Sequence, residues 1–166
     1  MTFGLPLPAI LFGHVGISFI AIAAGLVALP ALAAGRWLPR TQALFLATTL
    51  ATSLTGFLFP ISAPTPALAV GLISTIDLAI AYTALHAFRL AGRARAIYAI
   101  TATIGLYLNL FVLIVQSFLK VPALHALAPT GTEPPFVAVQ AAVLVASVVL
   151  GFAAVRAGRR IGSARN

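Results

Sequence analysis

Five stretches of the 166-residue chain are apolar for about the roughly 20 residues a helix needs to cross a bilayer. They are Pro8–Ala33, Ala43–Phe59, Ala67–Phe88, Ile97–Leu119 and Phe136–Val155. The connections between them are short and carry most of the prolines and most of the charges. This pattern predicts an all-α, polytopic integral membrane protein: one transmembrane domain over residues 1–166, built as a bundle of five membrane-spanning helices. The second stretch is the shortest and the most prone to tilt or to enter the membrane only partway. Pro8–Ala33 ends in Ala31-Leu32-Ala33, which resembles a signal-peptide cleavage motif. No Lys or Arg precedes that run and its apolar part is too long, so it reads as a span rather than a leader.

Composition reinforces the class. The chain is 61% hydrophobic and 7% charged, where soluble domains carry about a quarter charged residues. Mean hydropathy is +1.11. The net charge of +8 sits almost wholly beside span ends. Arg36 and Arg40 follow the first span, Arg89, Arg93 and Arg95 the third, and Arg156, Arg159, Arg160 and Arg165 the fifth. The intervening connections hold a single base, Lys120. Positive charge marks the cytoplasmic side, so the N-terminus is expected outside and the C-terminus in the cytoplasm. Charge placed this way serves topology and contact with anionic headgroups, and nucleic acid is not an expected partner. Trp37 and Tyr98 fall where an inner aromatic belt is expected. The outer connections are proline-rich, with Pro60, Pro64 and Pro66 in one and Pro122, Pro129, Pro134 and Pro135 in the other. They should be stiff, and the segment from Lys120 to Pro135 is long enough either to cap the outer face or simply to end a span.

Polar residues within the spans carry the candidate chemistry. At about 100° per residue, positions seven or eleven apart share a helix face. The first span aligns His14, Ser18, Ala21 and Gly25; the third aligns Ser74, Asp77, Ala81 and Ala84. The fourth aligns Gly105, Asn109, Gln116 and Lys120; the fifth aligns Gln140, Ser147 and Gly151. The second carries a run of Thr and Ser, from Thr48 to Thr55. Small and hydroxylated positions suit close helix packing. A carboxylate and carboxamides are costlier to bury than packing requires. Asp77 is one of two acidic residues in the chain, beside Glu133 in a loop. At ~1.5 Å of rise per residue, Asp77 and Asn109 both fall near the midplane. His14, Gln116 and Gln140 fall in the outer half, with Lys120 at its rim. Asp77, Asn109, Gln116, His14, Gln140 and Lys120 are therefore expected to line one outward-facing polar cavity that binds a ligand. Asp77 is expected to keep its proton unless it meets a cation or water.

Several chemistries lack their residues. With no cysteine there is no thiolate site or disulfide. Two acids far apart and three histidines give neither paired carboxylates nor a zinc ligand set, so no catalytic or metal residue is assigned. His14 and His86 lie at opposite depths and cannot clamp one haem, although His14 with His125 could. The residues name no cofactor. A redox or isomerase activity on a quinone or other lipid-soluble substrate has no motif behind it. The favoured expectation is a non-enzymatic protein that binds a small or lipid-like ligand, or that serves as an accessory subunit of a membrane complex. Its partners would be membrane lipids and either other membrane subunits or further copies of itself. The alternative is a haem- or quinone-binding redox protein, and the third a proton-coupled carrier using Asp77.

The stretch Tyr107-Leu108-Asn109-Leu110-Phe111-Val112, with Val115 to Pro122, Leu127 to Thr130 and Glu133-Pro134-Pro135-Phe136, resembles small uncharacterised inner-membrane proteins of proteobacteria. His14-Val15-Gly16 followed by Gly25 to Leu29 is similar to a bacterial family of unknown function whose first span starts with histidine. That family has a His-Arg pair after the first loop, where this chain has Leu38-Pro39-Arg40. The resemblance implies a bacterial inner-membrane location, and the missing pair withholds any haem or metal role.

Overall fold

A computed structural model describes residues 6–59 and 66–163, and those residues are helical with no strand. Helix α1 spans Leu7–Ala33, α2 Pro39–Gly56, α3 Pro66–Tyr82, α4 Ala94–Lys120, α5 Pro122–Leu127 and α6 Pro134–Ser163. Each of the five apolar stretches is thus a helix, and a short sixth, α5, lies in the last connection. Pro60, Pro64 and Arg165 lie outside the described residues.

The prolines act as helix starters. Pro39, Pro66, Pro122 and Pro134 are each the first residue of a helix, where a fixed φ is already helical and the missing N–H would have had no partner. The connection after α1 closes by a glycine stop. Gly35 takes φ +76°, its N–H bonds the Leu32 carbonyl at 2.9 Å, and the Arg36 N–H reaches back to Ala31 at 2.8 Å. This is the left-handed cap that glycine adopts at little cost.

The end of α3 is less regular. Thr83–Ala87 continues it as a π-helical turn, with the Phe88 N–H bonding the Thr83 carbonyl at 3.1 Å and the Leu90 N–H bonding Ala84 at 3.0 Å. Arg89 and Leu90 then both take positive φ, at 47° and 56°. Two successive non-glycine residues in that region store strain.

Helices α1 to α4 pack in a ring, each against the next and α4 against α1, while α6 lies in the groove between α1 and α4. Phe45, fully buried, fills the middle of the ring. Gly25 makes room for it: a Cβ there would stand 2.8 Å from Leu106 and 2.9 Å from the Phe45 ring. On α6, Gly151 sits over Thr103, and near its end the Gly158 carbonyl accepts a hydrogen bond from Arg95 at 3.0 Å. Large apolar side chains such as Phe12, Ile76, Val148 and Val149 point outward, as a bundle surrounded by lipid requires and a soluble one avoids.

The predicted count of five spans is met only in part. Among the described residues four segments are long and apolar enough to cross a membrane: Leu7–Ala33, Leu68–Ala87, Ala94–Lys120 and Pro134–Gly158. Helix α2 falls short because Gln42, Thr49, Thr52, Ser53 and Thr55 lower its apolar character. It nonetheless runs antiparallel along α1, with Gln42 bonded beside Ala28 at one end and Thr55 beside His14 at the other. The stretch after Lys120 forms α5 and a tight turn beside the end of α4. There Glu133 accepts hydrogen bonds from the Thr130 and Thr132 N–H groups, each at 3.0 Å, and from the Thr130 hydroxyl at 2.9 Å.

Candidate functional site

The polar side chains of α2 are the hub of the bundle's interior. Gln42, fully buried, donates to the Ala28 carbonyl of α1 at 3.1 Å and accepts from the Tyr98 hydroxyl of α4 at 2.6 Å. Two turns on, the Thr49 hydroxyl accepts from the Asn109 amide of α4 at 3.1 Å. One turn further, Ser53 shares a 3.0 Å hydrogen bond with Ser74 of α3 and donates to the Thr49 carbonyl at 3.1 Å. Toward the far end, Thr52 lies 3.4 Å from Ser18, and Thr55 bonds the His14 ring at 2.9 Å. A helix poor in apolar residues is therefore tied to three neighbours. In hydrocarbon such bonds hold helices together because the alternative is an unsatisfied polar group.

Asp77 lies next to this ladder. Ser74 and Asp77 are one turn apart on α3, as Thr49 and Ser53 are on α2 and Gly105 and Asn109 on α4. Asp77 is 6% exposed. A Cβ placed on Gly105 would lie 3.5 Å from its Oδ2 and 3.8 Å from the Phe45 ring, so glycine brings the α4 backbone close to the carboxyl. Oδ2 is buried and has no hydrogen-bond partner among the described residues. The surrounding hydroxyls do have partners: Ser53 and Ser74 bond each other, Thr49 accepts from Asn109, and Thr75 turns back to the Gly71 carbonyl at 2.8 Å. The carboxyl is the member of the cluster left with unused hydrogen-bonding capacity.

The predicted residues separate into several seams. Asn109 joins the Asp77 cluster through Thr49. His14 belongs to the α1–α2 seam, bonded to Thr55 with its ring edge-on to Phe59 at 5.3 Å. Gln140 belongs to the α4–α6 seam, donating to the Phe111 carbonyl at 3.3 Å while its own Oε1 is buried without a partner among the described residues. Gln116 is half-buried farther along α4, and Lys120 is exposed on its last turn. Hydrogen bonds among the described residues do not link His14, Gln116, Gln140 or Lys120 to Asp77. His86 is exposed on the π-helical turn and stacks on Tyr82 at 5.7 Å.

Tyr98 corrects the expectation of an aromatic belt. It is 1% exposed and bonded to Gln42 inside the bundle, and only its neighbour Trp37, 5.5 Å away, reaches the surface. Gln42 and Tyr98 escaped sequence reasoning because each lies near a span end, where a polar side chain reads as interfacial. Their partnership, 56 residues apart, is visible only once α2 is laid against α4. Ser53 and Thr49 carried a signal in their shared helix face with Gln42, which is spaced at seven and eleven residues.

Among the described residues no group of three or more His, Cys, Asp or Glu side chains is placed to hold a metal ion. The chain matches no protein-family model, and searches of curated proteins and of solved structures gave no match.

Proposed function

We propose that this is a small-ligand-binding membrane protein whose site is the polar cluster around Asp77. One observation carries the reading: a buried carboxyl oxygen without a partner, in a cluster whose other members have theirs. Burying such a group is costly unless something pairs with it. The ligand it would take donates a hydrogen bond or carries positive charge, and Asn109, one turn from Gly105, is the second contact. All five long helices cross the membrane in this reading, with the N-terminus outside and the C-terminus in the cytoplasm, because the arginines of three connections then share one side. The resemblance noted above supports a bacterial inner membrane as its location.

Native mass spectrometry from mild detergent tests the site. The wild-type chain should retain a bound species that Asp77→Asn loses, with helix content unchanged in both. Equal spectra without any adduct would leave the cluster a packing element and overturn the proposal. Topology is checked separately: single cysteines at Gly35 and Thr132, in a chain with no cysteine of its own, should label from opposite sides of the membrane.

A further inference from the structure

A second feature lies away from Asp77, on the lipid-facing side of α3. The π-helical turn Thr83–Ala87 and the start of α4 border a groove of about 350 Å³, walled by Ile76, Ala79, Ile80, Thr83, Phe88 and Ile97. Its one hydroxyl, on Thr83, already donates to the Ala79 carbonyl at 2.7 Å. That hydroxyl can still accept one hydrogen bond, but it is the groove's one polar side chain, so the lining suits hydrocarbon. Twelve residues separate Ile76 from Phe88, or ~18 Å of helix at ~1.5 Å each. That is close to the ~15 Å depth of one leaflet's hydrocarbon, half of the ~30 Å core.

The sequence beside the groove is basic. Arg89 follows Phe88 directly, and Arg93 is one turn before Ile97, at the N-cap of the 27-residue α4, with no side-chain cap bond. The third arginine of this connection, Arg95, is engaged with the Gly158 carbonyl. Arg89 and Arg93 are exposed and make no ion pair or hydrogen bond among the described residues. A helix N-terminus with two free guanidinium groups beside it attracts an anion. Arg89 and Leu90 hold their strained left-handed conformation at this point, and such strain gathers at ligand clamps.

We infer that this groove is a binding site for one anionic phospholipid of the leaflet on the arginine side, with an acyl chain along Ile80 and Phe88 and its phosphate between Arg89 and Arg93. A zwitterionic lipid offers the same chain without net negative charge, so the arginines would select against it.

The test uses the full chain in nanodiscs of phosphatidylcholine containing a minor fraction of phosphatidylglycerol, followed by extraction and native mass spectrometry. Retained phosphatidylglycerol should exceed its share of the nanodisc. Arg93→Gln and Arg89→Gln should each lower that retention about fivefold, the effect of one juxtamembrane base. Ala79→Phe should fill the groove and lower retention of both lipids. Arg156→Gln removes the same charge from α6, where the guanidinium lies over Phe152 at 4.4 Å, and should lower retention by less than either of those variants. Helix content and elution volume certify that each variant is folded, and a misfolded Arg89 variant leaves Arg93→Gln and Ala79→Phe to decide. Retention in proportion to the nanodisc, an equal loss in Arg156→Gln, or full retention in folded Ala79→Phe would each overturn the site.

Discussion

Replacing Gln42 by leucine removes the hub contact of α2 while nearly conserving volume. The phenol of Tyr98, 1% exposed, then loses the acceptor that stands 2.6 Å from it, and the 3.1 Å bond to the Ala28 carbonyl goes too. A buried hydroxyl left without a partner costs about 1–3 kcal/mol, and interhelical bonds in membranes measure ~0.6 kcal/mol on average with a maximum near ~1.7. Gln42→Leu should thus destabilise the bundle by about 1–2 kcal/mol, and Tyr98→Phe alone by about 1 kcal/mol, since Gln42 keeps its Ala28 bond. Gln42→Leu with Tyr98→Phe removes both polar partners. It should be less destabilised than the sum of the singles by about 1 kcal/mol. Unfolding in mixed micelles, followed by circular dichroism, supplies the energies. The single tryptophan, Trp37, gives a local reading because its ring meets Tyr98 at 5.5 Å. Additive single and double variants would show that the two side chains do not depend on one another and refute the hub.

Gly25→Ala should cost about 1–3 kcal/mol by crowding Phe45 and Leu106, more than the roughly 0.5–1 kcal/mol gained in helix propensity; the same micelle titration reads it. Glu133 titrates unusually low. Against a desolvation that raises it, the hydrogen bonds from Thr130, from its own N–H and from Thr132 lower its carboxyl from 4.5 to about 2. A lowered carboxylate stabilises above its unfolded value and loses that contribution as pH falls through the folded one. The protection of the Thr130 and Thr132 amides, taken relative to the intrinsic exchange rate at each pH, should therefore hold at pH 5 and above and fall between about 4.5 and about 2. In Glu133→Ala that protection should be lost at every pH. Arg95→Met should release the Gly158 carbonyl and speed exchange in the last turns of α6 without changing that of α2.

Much of the helical layout is readable from hydropathy. The fourth stretch, Ile97–Leu119, lies within Ala94–Lys120, and the fifth, Phe136–Val155, within Pro134–Ser163. The helix ends extend past the apolar runs because Arg95 and Pro134 are compatible with helix though not with hydrocarbon. The inward face of α3 is also readable: Ser74, Asp77, Ala81 and Ala84 share a stripe in the sequence and are all buried. Hydropathy is least informative for α2, since a scale that prices Thr49 or Gln42 against lipid cannot see the Asn109 and Tyr98 that meet them. The π-helical turn after Tyr82 and the left-handed Arg89 and Leu90 have no marker in the sequence. Neither residue is glycine or asparagine, so the conformation is imposed by the fold around them.

On the five-crossing reading, the hydroxyl and amide groups of α2 bear on how the chain reaches its membrane. Five residues, 34–38, join α1 to α2, and the Gly35 cap turns the chain among them, so the two helices leave the ribosome as one hairpin. Thr48 and Thr55 satisfy themselves on their own helix at once, bonding the Leu44 and Ala51 carbonyls. Gln42 finds its first partner, the Ala28 carbonyl, on the helix made just before it. The partners of Thr49 and Ser53 are synthesised later, on α4 and α3. During biogenesis α2 is thus a half-satisfied segment, held beside α1 at the translocon until the next two helices arrive, and delayed synthesis beyond Gly56 would expose it to slipping back out.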